Sequence, residues 1–418
     1  MKILVLNGGS SSFKCSFQDV QDGPLPSESL EPRWSARADW SRNSGTAEIK
    51  IARSDGASVS RKINADAPSE FLEPILKTLW QGEAKAIDSA REIDVVGHRI
   101  VHGGPKYRES VLITPEVRAG IAEQAEFAPA HNRLELAAIE TVDRVISNEV
   151  PQVAAFDTGF HATLKPAAYV YPGPYAWLEQ GIRRYGFHGI SVKYSTRRAS
   201  DLLEKPANSL RLIVCHLGNG ASVTAVAQGK SVDTSMGFTP LEGLMMGTRS
   251  GSVDPSILPY LIRRDAYSAD QIDDILNQQS GLLGVSGISG DMREITEAMK
   301  KGDSRARLAY EIYAHRVTRE VGSMLAVLGG ADAVVFTGGI GENCAILRDA
   351  VCAHFDFLGL KLDAAKNAHP ELDQNVATDG SSVQVLVIRA DEDWEIARDC
   401  LELIGASSPS SERLEVRK

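Results

Sequence analysis

Four residues that can carry charge or exchange a proton stand next to, or a few positions from, glycines: Arg99, Asp157, His188 and Arg249. A guanidinium fixed beside a glycine turn suits bidentate recognition of a carboxylate or a phosphate. Asp157 follows a short apolar run and precedes Thr158-Gly159, the position at which open α/β sheets place site residues. These residue types together indicate chemistry on an anionic substrate.

Each of these residues also has a purely structural interpretation. Arg99 could form a surface salt bridge, Asp157 could cap a turn, and His188 could be a structural histidine. His98 and His102 are four positions apart, which could indicate a metal pair, but glycines on both sides argue against the helix that this spacing needs. Taken singly, the residues leave these alternatives open.

Three glycine-rich loops, each after an apolar strand, predict phosphate binding. They occupy residues 7–12, 216–222 and 337–343. Glycine lets the backbone approach a ligand closely, and a concave row of backbone N–H groups is an anion site. Because the first two loops repeat one pattern about 200 residues apart, the sequence predicts a duplicated fold that holds a nucleotide.

The elements that carry these loops can be predicted from periodicity. Residues 19–68 are polar with short alternating runs, which predict exposed hairpins. Asn132 is expected to cap a helix with an apolar face. Residues 233–255 match no regular element, and so long an irregular segment is usually functional. The carboxylates at 391–393 open the last helix, either for the macrodipole or for Mg²⁺ held through water.

Bulk properties limit the class of protein. A chain of 418 residues predicts two domains. The net charge of −10 argues against nucleic acid or an anionic membrane surface as the main partner. We expect no signal peptide and no membrane span, because the chain runs directly into a strand and contains no long apolar run. Five cysteines without CxxC spacing predict reduced thiols and a cytoplasmic location.

An ordered set of motifs resembles the acetokinase family of the actin/sugar-kinase/Hsp70 superfamily. The motifs run from Lys2 to Arg398 and read LNGGSSSFK, GHRIVHGG, FDTGFH, RRYGFHG, HLGNGAS, DTSMGFTPLEGLMMGTRSG, GDMR and FTGGIGEN. The resemblance implies an α/β fold of two ribonuclease H-like domains with an interdomain cleft. The expected domains are 1–160 plus 394–418, and 161–393, the second binding nucleotide. It also implies a cytoplasmic homodimer.

The resemblance implies an activity as well. We expect reversible, ATP-dependent phosphorylation of acetate to acetyl phosphate, by direct in-line transfer with Mg²⁺, or with Mn²⁺ in its place. Acetate is already ionised at pH 7, since carboxylic acids have pKa values near ~4 to 5. A general base therefore has no proton to remove, and positioning an Arg or a Mg²⁺-bound water is the better physical role for Asp157.

Residue roles carried over from the resemblance fall into four groups. The catalytic group is Arg99, Asp157, His188 and Arg249. The substrate group is Arg99, Val101, Ala130, Phe187 and Pro240. The metal ligands are Asn7 and Glu392. The nucleotide contacts are Ser12, Lys14, His216, Leu217, Gly218, Asn219, Gly220, Asp291, Met292, Arg293, Gly338, Gly339, Ile340, Gly341 and Glu342.

The sequence departs from the family pattern around Ala130, where a Leu is usual. If Ala130 lines the methyl pocket, the pocket has room for a longer acid, so a propionate or broader short-chain fatty acid kinase is the nearest alternative. A non-catalytic ATP-binding switch of the actin or Hsp70 kind is a distant one, because it gives Arg99, His188 and Arg249 no purpose. A P-loop is excluded, since Thr224 stands where its upstream glycine is required before Gly229-Lys230-Ser231.

Overall fold

The structure is a computed structural model that describes residues 1–9, 12–21, 25–26, 28–39, 46–64, 68–124, 129–371 and 373–407. The chain divides into two compact units. The first unit comprises Met1–Gly159 together with the segment from Asp391 onward, and the second comprises Phe160–Ala390. The first unit is therefore built from both ends of the chain.

The first unit contains an eight-stranded sheet in the order β5-β4-β3-β2-β1-β6-β8-β7. Strands β1, β6 and β8 are parallel, and the others pair antiparallel. Its strands are β1 Lys2–Gly8, β2 Ser12–Asp19, β3 Trp34–Asp39, β4 Thr46–Arg53, β5 Ser58–Asn64, β6 Val95–Ile100, β7 Val111–Leu112 and β8 Gln152–Phe156.

The second unit contains a six-stranded sheet in the order β11-β10-β9-β12-β14-β13. Strands β9, β12 and β14 are parallel, and the others pair antiparallel. Its strands are β9 Arg211–Leu217, β10 Ala221–Ala227, β11 Lys230–Thr234, β12 Ala333–Thr337, β13 Gln374–Asn375 and β14 Gln384–Val387.

Helices surround both sheets, with short 3-10 turns between them. The helices of the first unit are α1 Leu72–Lys77, α2 Pro115–Glu123, α3 Pro129–Val145 and α15 Glu392–Ser407. Those of the second are α4 Pro166–Tyr169, α5 Ala176–Glu179, α6 Gly189–Leu202, α7 Ile257–Asp265, α8 Ala269–Gln278, α9 Gly281–Ser286, α10 Met292–Lys300, α11 Ser304–Leu328, α12 Gly338–Asn343, α13 Ala345–Cys352 and α14 Ala364–Ala368. Among the described residues, no helix is long and apolar enough to cross a membrane.

The two sheets share one topology, which confirms the predicted duplication. The strand run β3-β2-β1-β6-β8-β7 has the same order and directions as β11-β10-β9-β12-β14-β13. The hairpin β1–β2 thus corresponds to the hairpin β9–β10. Their turns contain the two glycine loops that share one sequence pattern. The first strand of each hairpin is almost wholly buried, as a continuous apolar run at a sheet centre requires.

The last helix packs on the first sheet at a glycine. A Cβ at Gly97 in β6 would lie 2.6 Å from Cγ2 of Ile396 and 2.8 Å from Sγ of Cys400. Glycine at this position lets α15 approach the strand closely. The contact fixes the start of α15, with its three acidic residues at 392, 393 and 395, relative to the sheet.

Three sequence predictions about elements are wrong. Strands β3 and β4 extend the sheet and bury one face, with Trp34 fully buried and Ile49 and Ile51 2% exposed, so they are not merely exposed hairpins, whereas β5 has no buried residue. Asn132 lies inside α3, which begins at Pro129, and does not cap it. Residues 338–343 form the short helix α12 directly after β12, where a loop was expected.

Candidate active site

Three predicted site residues of the first unit lie at the carboxyl ends of neighbouring parallel strands. Asn7 lies near the end of β1, Arg99 near the end of β6, and Asp157 directly after β8. Parallel strands end at one edge of a sheet, so the chain order β1-β6-β8 brings these side chains together. Glu392 joins them from the first turn of α15.

Arg99 is the centre of this group. Its Nη1 donates to the carbonyl of Gly8 at 2.9 Å, and its Nη2 donates to Oδ2 of Asp157 at 2.8 Å. Its Nε lies 3.7 Å from Oε2 of Glu392. Burial alone lowers the pKa of Arg99, but the carboxylates of Asp157, Glu392 and Glu135 outweigh burial and raise that pKa. The guanidinium is thus a fixed cation in a buried ion pair.

Asn7 connects the sheet to the two acidic residues that open α15. Its Nδ2 lies 3.0 Å from Oε2 of Glu392 and 3.0 Å from Oδ1 of Asp393. Amide and carboxylate oxygens are ligands that Mg²⁺ accepts, and Mg²⁺ is usually held by one or two carboxylates plus water and phosphate. The donor set therefore fits the predicted ion, although no group of three or more His, Cys, Asp or Glu among the described residues could hold a metal alone.

Glu135 is a buried carboxyl group that the sequence analysis missed. It lies on α3, is 2% exposed, and accepts the backbone N–H of Val101 at 3.0 and 3.2 Å. Burial raises the pKa of Glu135 to about 8, against the opposing effect of Arg99. An acidic residue on the face that also carries Ile139 and Val142 was the available indication, since charged residues are rarely buried without a partner.

His98 and His102, considered above as a metal pair, each have a hydrogen-bond partner within the protein. Nε2 of His98 lies 2.8 Å from Oε1 of Gln152, and burial lowers the pKa of His98 to about 4. Nδ1 of His102 accepts the backbone N–H of Gly104 at 3.0 Å, and Asn132 donates to the His102 carbonyl. Both rings therefore hold the chain that enters and leaves Arg99.

In the second unit, two imidazole rings stack at the start of α6 and the end of β9. The ring centroids of His188 and His216 are 4.1 Å apart with an interplanar angle of 24°. Nδ1 of His188 lies 3.0 Å from Oγ of Ser222, and Nδ1 of His216 lies 2.7 Å from Oγ of Ser191. A hydroxyl partner at each Nδ1 fixes both ring planes and directs each Nε2 away from it.

His188 and Arg249 converge on Gly220. A Cβ at Gly220 would lie 3.1 Å from Nε2 of His188 and 3.7 Å from Nη1 of Arg249. Burial lowers the pKa of Arg249, and among the described residues no carboxylate lies within salt-bridge distance of it. Nη1 of Arg249 lies 3.9 Å from Sδ of Met246. A cation of this kind, beside an imidazole and a glycine, suits an anionic ligand.

Glycines bring the irregular segment close to the hairpin turn. A Cβ at Gly247 would lie 2.3 Å from Oδ1 of Asn219 and 3.0 Å from the carbonyl of Gly290. Gly338 has a φ of +77°, and a Cβ there would lie 2.8 Å from the Leu217 carbonyl. Backbone packed this tightly leaves no space for a side chain at Gly247 or Gly338, which explains the glycine at these two positions.

The remaining predicted contacts have varied surroundings. Asp291 caps α10, Met292 is buried, and Arg293 is exposed beside Asp291. Glu342 accepts the backbone N–H of Ala390 at 2.8 Å, and burial raises its pKa. Ser12 and Lys14 lie on β2, where Lys14 is exposed and pairs in register with Asn7.

The residues proposed for the apolar wall differ in exposure. Val101 is buried in the first unit, and Phe187 is buried in the second, where Pro240 is partly exposed. Ala130 lies in α3, but its side chain is outside the part of the chain that the structure describes. Residues 235–256 contain neither helix nor strand, which confirms the predicted irregular segment.

Several polar partners were absent from the sequence predictions. They are Ser191, Glu135 and His161. His161 stands inside one of the motifs, which indicated importance but not its partners. Ser222 and Asp393 were predicted only as members of the second glycine loop and of the carboxylates 391–393, without their hydrogen-bond partners.

The fold has two sheets of the same topology, with cationic groups and glycine turns near strand ends. These features are typical of an α/β phosphotransferase. A family model described as the Acetokinase family matches residues 2–398, and this chain belongs to that family. An acetate kinase from a Cyanothece species is 53% identical over 410 residues, covering 98% of this chain and all of the relative.

Solved structures agree with this assignment. The crystal structure of Porphyromonas gingivalis acetate kinase has a TM-score of 0.87 and 38% identity, covering 96% of this chain and 99% of its own. A propionate kinase from Francisella tularensis has a TM-score of 0.85 and 36% identity, covering 95% and 98%. These similar structures thus include kinases named for two different short-chain acids.

Proposed function

We propose that this protein is an enzyme that reversibly transfers the γ-phosphoryl group of ATP to acetate, forming acetyl phosphate and ADP. The observation that carries the proposal is the convergence of Nη1 of Arg249 and Nε2 of His188 on Gly220. The acetate kinases among its relatives support the choice of acid. The anionic substrate inferred from isolated arginines supports it independently.

The transfer joins two anions, so charge neutralisation is the main requirement. An acetate oxygen attacks the γ-phosphorus in line, the new P–O bond forms, and the bond to the ADP oxygen breaks. No proton has to leave acetate at pH 7. Fixed cations and hydrogen-bond donors directed at the transferring group supply most of the stabilisation in reactions of this kind.

In the first unit, Arg99 binds the acetate carboxylate and Asp157 orients Arg99. The 2.8 Å contact between Nη2 of Arg99 and Oδ2 of Asp157 supports this division. In the second unit, Arg249 and His188 donate to the oxygens of the transferring phosphoryl group. Arg249 is suited to this role because no described carboxylate competes for it.

Asn7, Glu392 and the neighbouring Asp393 would hold Mg²⁺, directly or through water, and Mn²⁺ would suit the same oxygen donors. When bound, the ion supplies charge neutralisation at the phosphate oxygens of ATP. Arg99, whose Nε lies 3.7 Å from Oε2 of Glu392, would help to orient that carboxylate. The second unit binds ATP or ADP through the segments 216–220, 291–293 and 338–342, and the first contributes Ser12 and Lys14.

Propionate is a second candidate acid, favoured by Ala130 and by the propionate kinase neighbour. Val101, Phe187, Pro240 and residue 130 are the proposed walls around the methyl group. One methylene in an apolar site is worth only about 1 to 3 kcal/mol, so selectivity depends on these walls. Ala130→Leu should lower kcat/KM for propionate relative to acetate, whereas an unchanged ratio would remove residue 130 from the pocket.

We further propose a cytoplasmic homodimer, as the family resemblance implies. Helix α7 supports the dimer, because none of its nine residues is buried although Ile257, Tyr260 and Ile262 are large and apolar. An amphipathic helix with an uncovered apolar face favours association. All five cysteines are free thiols, which supports a reducing compartment.

Acyl phosphate can be trapped as a hydroxamate with a panel of carboxylates, and this assay tests the proposed function. We expect kcat/KM to be highest for acetate, lower for propionate and lowest for butyrate. A higher value for propionate would make the alternative correct. ATP binding without acyl phosphate from any acid would instead support a non-catalytic switch.

A further inference from the structure

We propose that His161 is a positioning residue for His188 and acts through the carbonyl of Phe187. The inference rests on the proposed function, in which His188 donates to the transferring phosphoryl group. His161 follows β8 in the 3-10 turn Gly159–Thr163 and is 1% exposed. Its effect on His188 would pass through the Phe187 peptide.

Both ring nitrogens of His161 have partners that fix its tautomer. Nε2 lies 3.0 Å from the Phe187 carbonyl, and Nδ1 lies 2.8 Å from Oγ of Ser231. A carbonyl oxygen only accepts, so Nε2 carries the hydrogen. In the neutral ring, Nδ1 then accepts from the Ser231 hydroxyl. The imidazole is held between β11 and the Phe187 peptide.

The carbonyl that His161 binds belongs to the peptide leading into His188. His188 has φ 59° and ψ 23°, a left-handed conformation that a residue with a Cβ adopts only when its surroundings require it. Gly186 has φ +78°, and a Cβ there would lie 2.7 Å from Cδ2 of His161 and 2.5 Å from Cγ2 of Thr234. The turn 186–188 therefore packs closely against the His161 ring.

Several contacts position His188: its own carbonyl accepts the N–H of Val192 at 2.9 Å, and His161 binds the carbonyl of the preceding residue. Ser222 and the stacked ring of His216 hold the side chain. Without the bond to Phe187, the peptide can rotate and His188 can relax towards an ordinary conformation. Because misplacement of a reacting group by about 1 Å can cost ~10²-fold in rate, the loss should appear in kcat and not in substrate binding.

The test uses His161→Phe and His161→Gln in the full chain. His161→Phe keeps an aromatic ring without the bond, and should lower kcat ~10²-fold with KM for ATP and acetate within about twofold. Gln can donate to Phe187 and accept from Ser231, so His161→Gln should recover about tenfold of that loss. In a His188→Ala background, His161→Phe should cause no further fall, because coupled residues are not additive.

An unchanged kcat in His161→Phe, or a full extra loss in the His188→Ala background, would overturn the inference. If His161→Phe does not fold, Ser231→Ala replaces it. That variant should lower kcat about threefold to tenfold, again with no effect in the His188→Ala background, and a wild-type kcat would overturn the inference. A wild-type rate in His188→Ala alone would instead contradict the proposed role of His188, and the inference with it.

Discussion

Arg99 and Arg249 carry the same charge in different surroundings, and this difference separates their effects on activity and stability. Arg99 contacts Asp157 at 2.8 Å and Glu392 at 3.7 Å. Arg249 has no carboxylate within salt-bridge distance in the described part of the chain. If both residues have their proposed roles, activity should depend on both, whereas folding should depend mainly on Arg99.

We predict that Arg99→Ala and Arg249→Ala each lower kcat/KM by at least ~10²-fold, as removal of one oxyanion donor does. Arg99→Ala should also lower the free energy of unfolding by about 3 to 5 kcal/mol, because it breaks a buried ion pair. Arg249→Ala should leave the free energy of unfolding unchanged or raise it, because a desolvated charge is removed. Steady-state kinetics measures kcat/KM, and urea unfolding measures the free energy of unfolding. Near-normal turnover in either variant contradicts its proposed role.

At the scale of elements, α3 fixes the loop that follows β6. Asn132 donates to the carbonyl of His102, and Glu135 accepts the N–H of Val101. These two side chains lie one turn apart on the helix and bind successive residues of the loop. The position of Arg99, just before that loop, therefore depends on a buried polar face of α3.

We predict that Glu135 makes stability depend on pH. Its pKa is raised to about 8 in the folded chain, while the unfolded value is ~4.3. Between these values the folded chain binds more protons than the unfolded chain, so the free energy of unfolding falls as pH rises. Arg99 and Asp157 are the charged groups that act on Glu135, and Arg99 opposes the shift.

Glu135→Gln should flatten this pH dependence between about pH 4.5 and 8, by an amount on the order of a few kcal/mol. Urea unfolding at several pH values measures it. Glu140→Gln, at an exposed position of the same helix, is the matched control and should keep the wild-type slope. A Glu135→Gln slope equal to that of the wild type would show that the buried carboxyl is ionised throughout.

The sequence predicted the elements whose local pattern and packing agree. Strands β1 and β9 are continuous apolar runs, as the sequence predicted. The burial of strands β3 and β4 was not predicted, because alternating polar residues also suit an exposed hairpin. Helix α12 was missed because its glycines have low helix propensity. Its position depends on the Leu217 carbonyl, which local sequence does not reveal.

The candidate site was also only partly predictable from the sequence. Residue type and motif predicted Arg99, Asp157, Asn7 and Glu392, but the distances between them could be obtained only from the fold. Glu135 and His161 were missed because their roles depend on backbone atoms of Val101 and Phe187. A carbonyl or an N–H exists at almost every residue, so no sequence pattern identifies the one that is bound.

At the scale of the whole molecule, association is predicted to depend on α7. Replacing Ile257 by Asp and Tyr260 by Glu should convert the proposed dimer into monomers, since both side chains are 44% or more exposed in the single chain. Sedimentation velocity measures the mass. Phe357→Asp is the control, because Phe357 is 76% exposed at another position and should leave the dimer intact. A wild-type protein that sediments as a monomer contradicts the proposal.

The duplicated fold assigns distinct tasks to its halves in the proposed reaction. The first unit supplies the Arg99 group and the carboxylates of α15, and the second supplies Arg249, His188 and the glycine segments. Because the net charge is −10, local cationic groups of this kind are needed to offset the overall negative charge when an anion binds.

The most direct test is phosphorus NMR of the purified full chain with ATP, Mg²⁺ and acetate. We predict that acetyl phosphate and ADP appear in equal amounts, that neither forms without acetate, and that acetyl phosphate with ADP regenerates ATP. Release of inorganic phosphate from ATP at the same rate with and without acetate, and no acetyl phosphate, would contradict the proposed phosphotransfer to acetate.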